Sequence, residues 1–90
     1  MDREQLKLDI KVQIIKYLNL LDYNPEDIKD DMPLFGDKGL ELDSIDSLEL
    51  IVMLEREYNI KINNPADGRK ILKDINNMAD YIIEVNYKNK

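Results

Sequence analysis

A chain of 90 residues with 19 acids, 13 bases, no histidine and no cysteine works within narrow chemical limits. A single domain of this size buries about two thirds of its unfolded surface, too little for a deep catalytic pocket with supporting layers. The missing residue types remove the commonest general base, the thiolate nucleophile, disulfides and zinc–thiolate sites, so no enzyme activity and no metal site are expected.

The charge is unevenly spread. Between Asp22 and Glu57 there are 12 acids against 3 bases, so this stretch carries −9 while the rest of the chain is +3. Phosphate repels such a surface, which argues against nucleic acid. Basic patches on other proteins are the natural partners, although an acidic face also serves solubility. No apolar run approaches the roughly 18 residues of a membrane span, and Met1–Gln5 has no apolar signal region. The expectation is a cytoplasmic monomer forming one domain over residues 1–90, with Asn86–Lys90 as a flexible tail.

Residues Arg3 to Leu20 repeat apolar side chains at helical spacing. Leu6, Ile10, Ile14 and Leu18 form one row, and Leu8, Val12 and Ile15 a second, which predicts a first helix with a wide buried face. Asp2 is positioned to cap it. Asn24-Pro25 then breaks the pattern and can open a short helical turn through Ile28. The connection from Leu21 to Leu42 contains Pro33, Gly36 and Gly39. It is long for a compact domain, so Ile28, Leu34, Phe35 and Leu40 are expected to pin it to the core.

The second helix starts at Ser44 and ends near Tyr58. Advancing about 100° per residue gathers Leu50, Ile51, Leu54 and Tyr58 on a core face. Ile45, Glu49, Val52 and Arg56 fall opposite, flanked by Leu48 and Glu55. Apolar groups beside a charged rim suit docking, and isolated exposed apolar residues are also ordinary. After Asn63-Asn64, Pro65 can open a short third helix that Gly68 weakens. A last helix begins after Asp74, with Ile75, Met78, Ala79 and Ile82 inward. The expected fold is all-α: a small four-helix bundle with three longer helices, a short third one, and a long loop between helices 1 and 2.

Two serines follow aspartates, at Asp43-Ser44 and Asp46-Ser47. Ser47 falls at about 300° on the same wheel, on the core side. Ser44 sits at the helix start, where backbone N–H groups lack helical partners and a phosphate ester would meet the positive end of the macrodipole. Ser44 is therefore the better attachment point. Its other reading is an ordinary first-turn residue, and Asp43 competes for the capping role. Asp43, Asp46 and Glu49 could also be read as a Mg²⁺ cluster, but they spread widely around the wheel and lack nearby phosphate-binding glycines.

The run Asp43-Ser44-Ile45-Asp46-Ser47-Leu48-Glu49-Leu50-Ile51 resembles the phosphopantetheine attachment motif of acyl carrier proteins. The likeness continues through Val52–Tyr58, Ile60 and Ile62, and takes in Leu34-Phe35 upstream and Asp74-Ile75 with Asp80-Tyr81-Ile82 downstream. It implies a four-helix bundle with a long first loop. It further implies 4'-phosphopantetheine joined to Ser44 through a phosphodiester, with Asp43 as its motif neighbour, installed by a phosphopantetheinyl transferase. The prosthetic thiol would hold acyl intermediates of fatty acid or specialised acyl, polyketide or lipid biosynthesis as thioesters.

By the same resemblance, Ile45, Asp46, Leu48, Glu49, Val52 and Glu55 would face basic docking patches on acyl-transferring, acyl-activating and condensing enzymes. Leu54, Ile62 and Ala66 would shelter the acyl chain. The chain departs from the common fatty-acid type at Arg56, at Glu41-Leu42 and in a longer stretch from Ile62 to Ile75, which leaves the pathway open. The alternatives are an unmodified interaction module of the same fold and an aminoacyl or aryl carrier of a nonribosomal-peptide-type pathway.

Overall fold

A computed structural model describes residues 2–35, 42, 44–62, 68 and 70–88, without the side chains of Ser44, Tyr87 and Lys88. The described chain contains three α-helices, α1 (Arg3–Leu18), α2 (Ser44–Tyr58) and α3 (Ile75–Lys88), and a 3-10 turn over Pro25–Asp27. Among the described residues there is no strand, only an isolated parallel bridge between Phe35 and Leu42. None of the described helices is long and apolar enough to cross a membrane. The helical class agrees with expectation. Between α2 and α3, where a short helix is expected, the described residues 68, 70 and 71 have helical backbone, and the described helices number three. There the Leu72 N–H donates to the Gly68 carbonyl at 2.9 Å. Its expected start at Pro65 lies outside the described residues.

Local chemistry sets the helix ends. The Asp2 carboxylate accepts from the Glu4 and Gln5 N–H groups at 3.0 and 3.5 Å, capping α1. Asp74 caps α3 in the same way, accepting from the Asn77 N–H at 2.8 Å. Both α1 and α2 stop at an asparagine in the left-handed conformation, Asn19 and Asn59, each with φ 56°. Asparagine is the non-glycine residue best suited to that geometry. Each stands between apolar residues, in Leu18-Asn19-Leu20 and Tyr58-Asn59-Ile60. The N–H groups of Leu20 and Ile60 then reach back to the carbonyls of Ile15 (2.9 Å) and Leu54 (3.2 Å). Ile60 enters the core as the chain turns.

The core comprises Leu6, Ile10 and Ile14 from α1, Leu50, Met53 and Leu54 from α2, and Ile75, Met78, Ala79 and Ile82 from α3. Ile28, Leu34, Leu42, Ile60, Ile71 and Leu72 from the connections complete it. The inward row expected for α3 is entirely buried. The expectation for α1 is too generous, because Leu8 and Val12 are 45% and 47% exposed. Their row lies roughly 160–200° round the helix from Ile10, and α1 packs only against α2, α3 and the 3-10 turn among the described elements. Leu18 and Ile15 are half-buried at the margins. Of the residues expected as a tail, Asn86 to Lys88 have helical backbone as the end of α3.

The long connection is held at two places. Leu34 donates its N–H to the Lys73 carbonyl (3.1 Å) and accepts the Leu42 N–H at its own carbonyl (2.9 Å). Ile28 and Leu34 are fully buried and Phe35 is half-buried, as expected, while Leu40 lies outside the described residues. Four residues before Leu34, Asp30 forms the second anchor. Its backbone carbonyl accepts the Asn76 N–H at 3.0 Å. Its Oδ2 accepts from Lys7 Nζ at 3.0 Å. Lys11 Nζ lies 2.7 Å from the buried Oδ1, so a second ammonium compensates that oxygen. Lys7 is itself nearly enclosed, and its ammonium also meets Glu4 Oε2 at 2.8 Å. One carboxylate thus joins α1 to the connection while its backbone joins the connection to α3.

This junction has a pH signature. The Lys11 ammonium, followed by that of Lys7, holds the Asp30 carboxyl below its usual range against an opposing effect of burial. Glu4 first, then Asp30, raises the Lys7 ammonium. A depressed carboxyl contributes its stability above its unfolded value of about 3.9 and loses it as pH falls through the lower folded value. The raised lysine contributes fully below its unfolded value of about 10.4, and that contribution is lost only in the alkaline range. Urea midpoints measured from neutral pH downward are therefore expected to fall below about pH 4. Asp30→Asn should flatten that decline and lower stability at pH 7 by about 1 kcal/mol, a modest figure because the carboxylate is partly exposed.

Candidate functional site

Helix α2 is placed from both ends. Two residues before it, Leu42 is buried and donates its N–H to Leu34. At its far end the Tyr58 hydroxyl donates to Gln13 Oε1 of α1 at 2.7 Å. Tyr58 is half-buried, and burial raises its phenol above the usual value, so the neutral donor form is the one held.

Between these fixings the helix has two unlike faces. Leu50, Met53 and Leu54 are fully buried. Ile51 and Tyr58 are half-buried. On the other side Ile45 is 70%, Leu48 62% and Val52 36% exposed, with Glu49, Glu55 and Arg56 exposed beside them. Asp46 and Ser47 are half-buried along the seam. The sequence-based core face omitted Met53. Leu50, Met53 and Leu54 stand at i, i+3 and i+4, and that spacing was the signal that could have found it. The buried arc is turned toward Met53, which leaves Ser47 at its edge rather than inside it.

Ser44 opens α2. The first N–H groups of any α-helix lack partners within the helix and carry the positive end of its dipole, a setting suited to a phosphate ester. Asp46 lies in this first turn. Asp43 lies outside the described residues. So the site brings together a serine at a helix mouth and, running away from it, an apolar stripe with an acidic rim.

The residues expected to shelter an acyl chain are less united. Leu54 is wholly enclosed in the main core. Ile62 is half-buried, and Ala66 lies outside the described residues. Gly68, not singled out for this role from sequence, is buried near Ile62, and a β-carbon on it would come within 3.6 Å of both Ile51 Cδ1 and Ile62 Cγ2. The helical turn that includes Gly68 therefore meets Ile51 of α2 and Ile62 beyond the end of that helix. A separate open groove, lined by Lys70, Ile71, Tyr81 and Glu84 among others, runs between that turn and α3.

Comparison with known proteins defines the class to which this site belongs. The family described as "Phosphopantetheine attachment site" matches residues 14–66, from the middle of α1 through the whole of α2. An acyl carrier protein of Wolinella succinogenes is 32% identical over 74 residues, covering 82% of this chain and 88% of that protein. An acyl carrier protein of a Sulfurovum species is 29% identical over 77 residues, covering 86% and 93% respectively. The chain belongs to the acyl carrier protein family, whose members are non-catalytic carriers with covalently attached 4'-phosphopantetheine.

The two faces of α2 should respond differently to truncation. Met53→Ala is expected to cost about 2–5 kcal/mol in urea unfolding, through lost burial and the cavity left behind. Ile45→Ala, at a position already in water, is expected to stay within about 0.5 kcal/mol of wild type. Equal losses at the two positions would show that the helix is wrongly oriented.

Proposed function

We propose that Ser44 carries the 4'-phosphopantetheine and that the outward face of α2 presents the loaded group to partner enzymes. The observation that carries this reading is the adjacency of Ser44 to the exposed stripe of Ile45, Leu48 and Val52, rimmed by Glu49 and Glu55. When attached, the group supplies a terminal thiol that holds an acyl unit as a thioester, which a chain without cysteine cannot provide from its own side chains. The chain's own residues do the rest. The helix opening receives the phosphodiester, the apolar stripe supplies contact area, and the carboxylates steer partners with basic patches.

Those partners are a phosphopantetheinyl transferase that installs the group on Ser44, and acyl-activating, acyl-transferring and condensing enzymes that load and unload it. The cargo is an acyl intermediate of fatty acid or specialised acyl biosynthesis. The protein acts as a single carrier domain, monomeric and cytoplasmic. Ile62 supports a role for the face between α2 and Gly68 in sheltering the acyl chain, and the proximity of Gly68 to Ile51 and Ile62 adds to it.

Co-expression with a broad-specificity transferase followed by intact-mass measurement tests the central step. The wild-type chain and Ser47→Ala should both gain the mass of one phosphopantetheine, and Ser44→Ala should gain none. A gain retained in Ser44→Ala would move the attachment elsewhere, and no gain in any variant would end the carrier reading.

A further inference from the structure

The outward face of α2 is not uniformly acidic. Ile45, Glu49, Val52 and Arg56 follow one another at steps of four, three and four residues, so they share one side of the helix within about 60°. Arg56 closes this line in the last turn and is exposed. The positions from which a helix could pair it internally hold Val52, Met53, Asn59 and Ile60, none of them acidic. Glu55 and Glu57 point about 100° to either side, and Glu49 is about 10 Å back along the axis. No described acid forms an ion pair with Arg56. A cation at a helix C-terminus suits the dipole, which accounts for a base at that end but not for one in line with the apolar stripe.

We infer that the enzyme that loads Ser44 docks along this line with a patch of two signs: cations facing Asp46 and Glu49, and a carboxylate facing Arg56. The inference rests on the carrier reading above and gives it a specificity determinant. Arg56 lies 12 residues from Ser44, about 18 Å along the helix. A standard protein interface covers about 800 Å² per partner, a patch roughly 30 Å across. An enzyme that reaches Ser44 while seated on Ile45, Leu48 and Val52 therefore also covers Arg56. Covering a guanidinium without a counter-charge is unfavourable, so the seated surface has to supply one. A patch that is basic throughout would meet repulsion at this end, which makes Arg56 a filter among transferases as well as an anchor.

The test is the steady-state loading of the carrier by the phosphopantetheinyl transferase of its own cell, compared across Arg56→Glu, Arg56→Gln, Arg56→Lys and Glu49→Lys. Arg56→Glu should raise KM about tenfold, with kcat within about twofold, and the neutral Arg56→Gln about threefold. Arg56→Lys should recover most of the loss, because the point charge remains. Glu49→Lys should raise KM as well, and the penalty of Arg56→Glu should shrink as salt rises. Thermal melts of all four should match wild type to within a few degrees.

Loading of Arg56→Glu with an unchanged or lower KM would overturn the inference, showing a uniformly basic patch and a merely helix-terminal arginine. A KM penalty that salt leaves untouched would also overturn it. If the wild-type chain itself is not modified at Ser44, the carrier reading fails before Arg56 enters the question.

Discussion

Asp30 is the residue on which the rest of the arrangement depends. A connection of more than twenty residues between α1 and α2 carries a large ordering cost, and the 3-10 turn is the one regular element among its described residues. Asp30 offsets part of that cost locally. Its carboxylate sits between the ammonium groups of Lys7 and Lys11, and its carbonyl accepts the Asn76 N–H just inside α3. Three segments distant in sequence are thereby fixed at one point, and the apolar anchors Ile28 and Leu34 can enter the core on either side of it. Isolated surface pairs contribute little. This one matters because it is partly enclosed and shared between two cations.

With the connection fixed, α2 can be divided cleanly between two duties. Its inward side, led by Leu50, Met53 and Leu54, supplies core, and Tyr58 ties its end to α1 through Gln13. Its outward side is left in water although it includes isoleucine, leucine and valine. A chain this small has little apolar surface to spare, and leaving three such side chains exposed in one row is unfavourable for folding alone. The acidic rim keeps the row soluble and gives approaching surfaces a preferred sign.

Much of this was legible in the residues. Helices α1, α2 and α3 follow from apolar spacing, and the caps at Asp2 and Asp74 from side-chain chemistry. The inward row of α3 is complete because a single period of 3.6 decides it. The misplacements share a cause. Leu8 and Val12 are apolar and helically spaced, but spacing alone does not say how many neighbours a helix has, and α1 has too few to cover both rows. A core face of Leu50, Ile51, Leu54 and Tyr58 leaves Met53 just outside, and turning it by a few tens of degrees admits it. The Asp30 junction was not legible at all. Lys7, Lys11, Asp30 and Asn76 look like surface residues until tertiary structure brings them together. For the functional stretch, apolar spacing places Leu50 and Leu54 inward, as the structure has them, whereas Ser47, expected on the core side, lies at the seam because the buried arc is turned toward Met53.

The double use of Leu34 has a consequence for how such a chain can diverge. Its N–H is tied to Lys73 and its carbonyl to Leu42, so the start of α2 is tied to the segment leading into α3. Closing a loop costs only about 0.6 kcal/mol more for each doubling of its length. A related chain of different length between Leu34 and Leu42 can therefore keep the serine two positions beyond Leu42 in place, provided that both bonds of Leu34 are kept. Divergence in chain length is then compatible with an unchanged bundle around the serine, so long as Leu34 keeps its two partners.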